Sequence, residues 1–121
     1  METYKTMENK YNSSNLLYTF DLESVDDIMR VLASQLRARR LERGLSREAL
    51  SMMSGVPVPT IAKFEQQAAL SLKQYVALCK ALGYKQQVKS VMQEPIYRTM
   101  EELETIQKNK QRKHGRNTFD K

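Results

Sequence analysis

Residues 46–65, SREALSMMSGVPVPTIAKFE, constrain this chain more than any other stretch. Two short segments with helical spacing of apolar side chains flank one glycine, Gly55. In the first, Ala49, Leu50 and Met53 predict an inward face. In the second, Ile61 and Phe64 do the same. Ser46 is placed to cap the first segment, with Glu48 in its first turn where the helix dipole favours an anion. Pro59 sits in the first turn of the second, where a missing N–H costs nothing. A glycine between two such helices supplies the positive φ of a tight turn, and a small residue at Ala49 lets the helices approach. The expectation is a helix-turn-helix.

The flanks extend the pattern. Ser24 and Asp27 read as a capping box ahead of a helix over 25–43, with Val25, Ile28, Met29, Leu32 and Leu36 at helical spacing and Gly44 as its stop. Ser71 caps a fourth helix over 72–82 with the stripe Leu72, Tyr75, Val76, Cys79 and Leu82, ended by Gly83. Residues 86–92 are expected to add a short fifth helix, closed by Pro95. Thr99 and Glu102 form a second capping-box pattern, predicting a sixth helix from 100 to 110 with few apolar positions: Met100, Leu103 and Ile106. The fold class expected is all-α. The division expected is an N-terminal arm at 1–23, a domain at 24–93 that contains the helix-turn-helix at 46–65, and a C-terminal helix with a basic tail at 94–121. Residues 1–20 have no lasting period and read as a mobile arm. Its cluster Leu16–Phe20 leaves open a short strand, a docking segment or a tail packed on its own domain.

Composition narrows function. The net charge of +6 is unevenly spread: residues 1–23 carry two basic and four acidic groups, while 24–84 and 85–121 each carry nine basic and five acidic groups. A basic core attracts polyanions, nucleic acid foremost. Five basic residues and no acid fall between 108 and 116, the pattern of a basic tail. There is one Cys (Cys79) and one His (His114), too few for a disulfide or a zinc site. Cys79 lies on an apolar stripe and reads as core, and His114 as solvated. No nucleophile–base pair and no Gly-rich phosphate loop is present, so an enzyme is not expected, nor is a cofactor. No apolar run is long enough to span a membrane, and the first residues lack a hydrophobic signal region. The cytoplasm is therefore the expected location.

The residues Leu36-Arg37, Arg40, Gly44-Leu45-Ser46, Glu48-Ala49-Leu50, Ser54-Gly55-Val56, Thr60-Ile61, Phe64-Glu65 and Leu78 to Gly83 resemble the Xre/Cro family, which includes the lambdoid phage repressors. The resemblance covers under half of the chain. It implies a five-helix, lambda-repressor-like domain of bacterial or phage origin whose third helix enters the major groove of a double-stranded DNA operator, bound by a homodimer. It also implies a partly buried structural ion pair, Arg40 with Glu65. Carried over, the groove-facing positions are Arg47, Val58, Pro59, Thr60, Ala62 and Lys63. Arg37, Arg39, Arg43, Gln66 and Gln67 are phosphate candidates. The chain departs from the family at several of these. Arg47 stands where Gln is frequent, Pro57 where Ser or Thr caps the helix, and Gln67 where Gly is frequent. Val58, Pro59 and Ala62 have no hydrogen-bonding side chain and are restricted to contacts such as thymine methyls. Arg47 and Lys63 remain able to reach guanine or phosphate, so much of the specificity is expected from phosphate register and DNA shape.

Phe64-Glu65-Gln66, Ser71 to Tyr75 and the segment 94–103 further resemble HipB-like antitoxins of toxin–antitoxin operons, which accompany HipA-like kinases. That resemblance implies autorepression, with a toxin subunit or complex joining the repressor. A stand-alone phage or mobile-element repressor and a protein-interaction adaptor without DNA reading are the alternatives.

Overall fold

A computed structural model of the chain describes residues 21–115. The arm expected at 1–20 and the tail beyond 115 lie outside the described residues. Those described are all-helical: six helices and no strand, consistent with a lambda-repressor-like fold. In chain order they are α1 (Val25–Glu42), α2 (Arg47–Ser54), α3 (Val58–Gln67), α4 (Leu72–Ala81), α5 (Lys85–Lys89) and α6 (Met100–Asn109). The chain divides into two compact units between Lys85 and Gln86.

Local chemistry sets the helix ends of the first unit. Ser24 Oγ accepts from the Asp27 amide at 3.0 Å, and Asp27 Oδ2 accepts from the Ser24 amide at 3.0 Å, closing a reciprocal box that satisfies two otherwise orphan donors. Ser46 and Ser71 cap α2 and α4 by accepting from Ala49 N (3.0 Å) and Gln74 N (3.2 Å). α3 starts differently. Pro57 has no side chain able to cap, and its carbonyl accepts from Thr60 N and Ile61 N at 3.0 and 3.1 Å. α2 stops at Gly55, whose φ of 79° lies in the left-handed region. Its amide donates to the Ser51 carbonyl at 2.8 Å, and Ser54 Oγ accepts from Val56 N at 3.1 Å.

The end of α3 is unusual. Gln67, where the related pattern has Gly, is its last helical residue, and the left-handed position falls on Ala68 at φ 55°. A non-glycine residue there costs on the order of 1 kcal/mol. The strain persists because the Ala68 amide closes the helix on the Phe64 carbonyl at 2.8 Å and its side chain packs on the core.

The core of this unit gathers Ala33 and Leu36 from α1, Leu50 from α2, Val56 from the turn, Ile61 and Phe64 from α3, and Leu78 and Leu82 from α4 and its cap. Phe64, Leu50, Ile61 and Leu78 are fully enclosed. α1 packs on α3, and α2 packs on both α3 and α4. Tyr75 meets the Phe64 ring edge-on, with centroids 5.9 Å apart. Burial pushes its hydroxyl pKa up to about 12, aided by the neighbouring Cys79 thiol. Cys79 is buried. Several positions on the expected apolar stripes are not covered. Val25 and Leu72, each 76% exposed, are the first residues of their helices. Ile28, Met53 and Val76 are exposed as well. A domain this small covers only the centre of each stripe.

In the second unit, Thr99 Oγ1 caps α6 by accepting from Glu102 N at 3.1 Å. Glu102 Oε2 reaches back to the Arg98 amide at 3.1 Å, one residue ahead of the usual box partner. Leu103 and Ile106 are half-buried and Met100 is exposed, so the apolar stripe of α6 is thin.

A methyl group added at Gly55 meets no atom within 4 Å, so Gly55→Ala tests the backbone conformation alone. The substitution is expected to cost about 1–2 kcal/mol, from forcing an L-residue into the left-handed region. Urea unfolding measures it. An unchanged midpoint would show that the turn does not need its positive φ.

Candidate nucleic-acid interface

α3 has two chemically distinct sides. Ile61 and Phe64 point into the core at 0% exposure. Pro59, Lys63 and Gln66, spaced i, i+4 and i+7, are exposed, with Ala62 half-buried beside them. Val58 and Thr60 are also half-buried. Gln67, at i+4 from Lys63, is exposed too, so the outward side of the helix holds one cation, two amides and little else that can hydrogen-bond. Arg37, Arg39 and Arg43 are exposed on the last part of α1 and its cap. Arg39 Nε pairs with Glu42 Oε1 at 2.8 Å, which offsets part of its charge.

α3 is fastened to α1 by an ion pair. Arg40 Nε donates to Glu65 Oε2 at 2.7 Å and Arg40 Nη2 to Glu65 Oε1 at 2.8 Å, a bidentate fork. The third donor, Arg40 Nη1, is taken by the Leu45 carbonyl at 2.8 Å, in the loop between α1 and α2. The two side chains are 7% and 1% exposed. Burial pushes the Glu65 carboxyl pKa up, but the hydrogen bonds and charge of Arg40, followed by those of Arg47, outweigh it and hold the group below the ordinary glutamate range. The same hydrogen bonds raise the pKa of Arg40 against its own burial. No buried side-chain nitrogen or oxygen among the described residues lacks a partner.

One feature of this cluster is invisible in the sequence. Arg47, the first residue of α2, donates from Nε to Glu65 Oε1 at 3.2 Å. It is separated from Glu65 by 18 residues, and only the packing of α2 on α3 brings them together. No spacing rule within a helix reports such a contact.

Among the described residues no group of three or more His, Cys, Asp or Glu side chains is arranged to hold a metal. No described helix is long and apolar enough to cross a membrane.

Comparison with known proteins agrees with the geometry. Residues 36–85 match the family model described as Helix-turn-helix, in agreement with the Xre/Cro-type resemblance. No curated protein and no solved structure matches the chain. The all-helical fold and the family match over 36–85 support a helix-turn-helix regulator of transcription that binds DNA.

Removing Arg40 leaves a buried carboxylate with only Arg47 to compensate it. Arg40→Met is expected to cost about 3 kcal/mol, and Arg40→Met/Glu65→Leu less, because the double variant buries no unpaired charge. The pH dependence follows from the depressed Glu65 pKa. Ionised Glu65 stabilises the fold above its unfolded value, about 4.3, and that contribution is lost as pH falls through the lower folded value. The stability gap between the wild type and Glu65→Gln should therefore be widest near neutral pH and close on acidification below about pH 4. Urea titrations across that range measure it. A gap independent of pH would remove the charge from the explanation.

Proposed function

We propose that the protein is a repressor that binds a palindromic operator as a homodimer, with α3 in the major groove. The observation that carries this reading is the outward side of α3, which presents Lys63 and Gln66 on a helix held from behind by Arg40 and Glu65. The groove-facing set in this reading is Arg47, Val58, Pro59, Thr60, Ala62 and Lys63, with Gln66, Arg37, Arg39 and Arg43 toward phosphates. Domain 24–93 carries the DNA chemistry, and 94–121 adds a helix and a basic tail able to follow the sugar-phosphate backbone. The expected location is the cytoplasm.

The particular role proposed is the antitoxin of a HipA-type toxin–antitoxin operon, repressing its own promoter. It is supported by the resemblance of residues 64–66, 71–75 and 94–103 to HipB-like antitoxins and by exposed apolar side chains in the second unit, Val91, Met92, Ile96 and Tyr97, where a toxin subunit can dock. A stand-alone repressor uses the same DNA chemistry without that partner. One observation favours an adaptor instead. Val58, Pro59 and Ala62 give α3 few groups for reading base edges.

Lys63→Ala with Arg47→Ala is expected to weaken operator binding at least tenfold, about 1.4 kcal/mol, with the fold retained because Arg40 still neutralises Glu65. Unchanged gel-shift affinity would reject the groove assignment and favour the adaptor. Deletion of 108–121 should flatten the log–log dependence of binding on salt by about 0.9 for each phosphate that the tail had neutralised. An unaltered slope would assign the tail to something other than DNA. Co-purification from the native operon, followed by footprinting of the upstream DNA, tests partner and operator together.

A further inference from the structure

The first turns of α1 have two unlike flanks beside the side that faces the core. Ala33, Leu36 and Arg40 are buried, and Met29 and Leu32 pack against the core from its edge. On one flank stand Asp26, Arg30, Ser34 and Arg37, all exposed and polar. The other carries Val25, Ile28 and Val31, neighbours at i, i+3 and i+6. These are 76%, 43% and 44% exposed, and Leu22, just ahead of the helix, is 81% exposed. Farther along the same flank the apolar character ends: Gln35, at i+7 from Ile28, and Arg39, four residues on, are exposed and polar. The result is a short apolar strip on one end of one helix, continuous with the edge of the core and uncovered among the described residues. A contiguous strip of this kind, unlike scattered single residues, marks a docking surface.

The chain carries a cover of matching chemistry directly ahead of the strip. Residues 16–20, LLYTF, hold four apolar or aromatic side chains in five positions, and the alternation of Leu16, Tyr18 and Phe20 places three of them on one side of an extended segment. The segment ends at the residue before Asp21. There Asp21 Oδ1 accepts from the Glu23 amide at 3.1 Å, and Ser24 is extended ahead of the helix. Reversal of the chain over 21–24 brings residues 16–20 alongside the first turns of α1. The reach suffices: Val25 to Val31 spans about 9 Å along the helix, and five extended residues span about 17 Å. Charge does not oppose the contact, because residues 1–20 carry two basic groups (Lys5 and Lys10) and two acidic ones (Glu2 and Glu8), and none falls within 16–20. A segment tethered at this distance has an effective concentration of about millimolar. That favours the chain's own segment over the same segment of a second copy.

We infer that residues 16–20 are an intramolecular cover for the Leu22, Val25, Ile28 and Val31 strip, packed in an extended conformation along the open flank of α1. The cover holds the first turns of the helix whose far end carries Arg40. The inference does not depend on the DNA-binding reading.

The test uses the full-length chain, isotope-labelled for amide NMR and carrying a nitroxide on Asn15→Cys, with the buried Cys79 left in place. The amides of residues 25–32 are expected to broaden more than those of any other described segment. Uniform broadening, or none, would overturn the cover. In a mixture of nitroxide-bearing chains without isotope and isotope-labelled chains without nitroxide, no broadening is expected. Broadening there would give the strip to a second copy and equally overturn the inference. A second readout is hydrogen exchange. Leu16→Ser/Tyr18→Ser/Phe20→Ser should raise the exchange rates of the amides of residues 29–32 by about tenfold, because the first turns of α1 open more readily once uncovered. None of the three belongs to the buried core, so circular dichroism should show the fold retained. In the Val25→Ser/Val31→Ser background the same triple substitution should change these rates little further. Unchanged rates, or an equal effect in both backgrounds, would reject the contact.

Discussion

Arg40 and Glu65 join the long first helix to the end of the third, and no other charged pair among the described residues is so deeply enclosed. Such a pair is not an obvious source of stability, because desolvating two ions offsets most of their attraction. Its value here is geometric. The guanidinium is planar and all three of its nitrogens are engaged, two by Glu65 and one by the Leu45 carbonyl. That arrangement permits little rotation of α3 about its own axis relative to α1. Which side chains α3 shows to solvent is thereby decided jointly by the core packing of Ile61 and Phe64 and by this fork.

The same fork sets the electrostatics at the base of α2. A lone buried carboxylate would repel a phosphate, but one already neutralised by Arg40 can hold a second arginine without adding net negative charge. Arg47 occupies that position. The arrangement suits a chain whose third helix has few polar groups. Where direct hydrogen bonding to bases is scarce, affinity rests more on fixed phosphate contacts and on the shape of the duplex. Lys63, Gln66 and Gln67 then carry most of the hydrogen bonding that α3 can offer.

Much of the architecture is legible in the residues themselves. Ser24, Ser46, Ser71 and Thr99 each cap the helix expected of them, because capping needs only a short polar side chain and an amide two or three residues on. Gly55 marks the turn because few other residues tolerate its φ. Harder to read are features that depend on neighbours far away in sequence. The exposure of Leu72, Val76 and Met53 follows from how little surface a domain of this size can cover, and periodicity does not measure that. The left-handed cap on Ala68 sits one residue beyond the position where the related pattern has glycine, and core packing decides it against local preference. Glu102 turning to the Arg98 amide is a difference of one residue that a capping motif does not specify.

The sequence by itself determined where the capped helices start and which side of each is apolar, whereas the fifth helix, expected over 86–92, spans only Lys85–Lys89. Caps, glycines and a 3.6-residue period act within a few positions, and no distant group is needed to read them. Tertiary structure alone decided which apolar residues are covered and that Glu65 is shared by Arg40 and Arg47. Both depend on the approach of α1, α2 and α3. A contact across 18 residues has no signature in local spacing, because it exists only after the helices have packed.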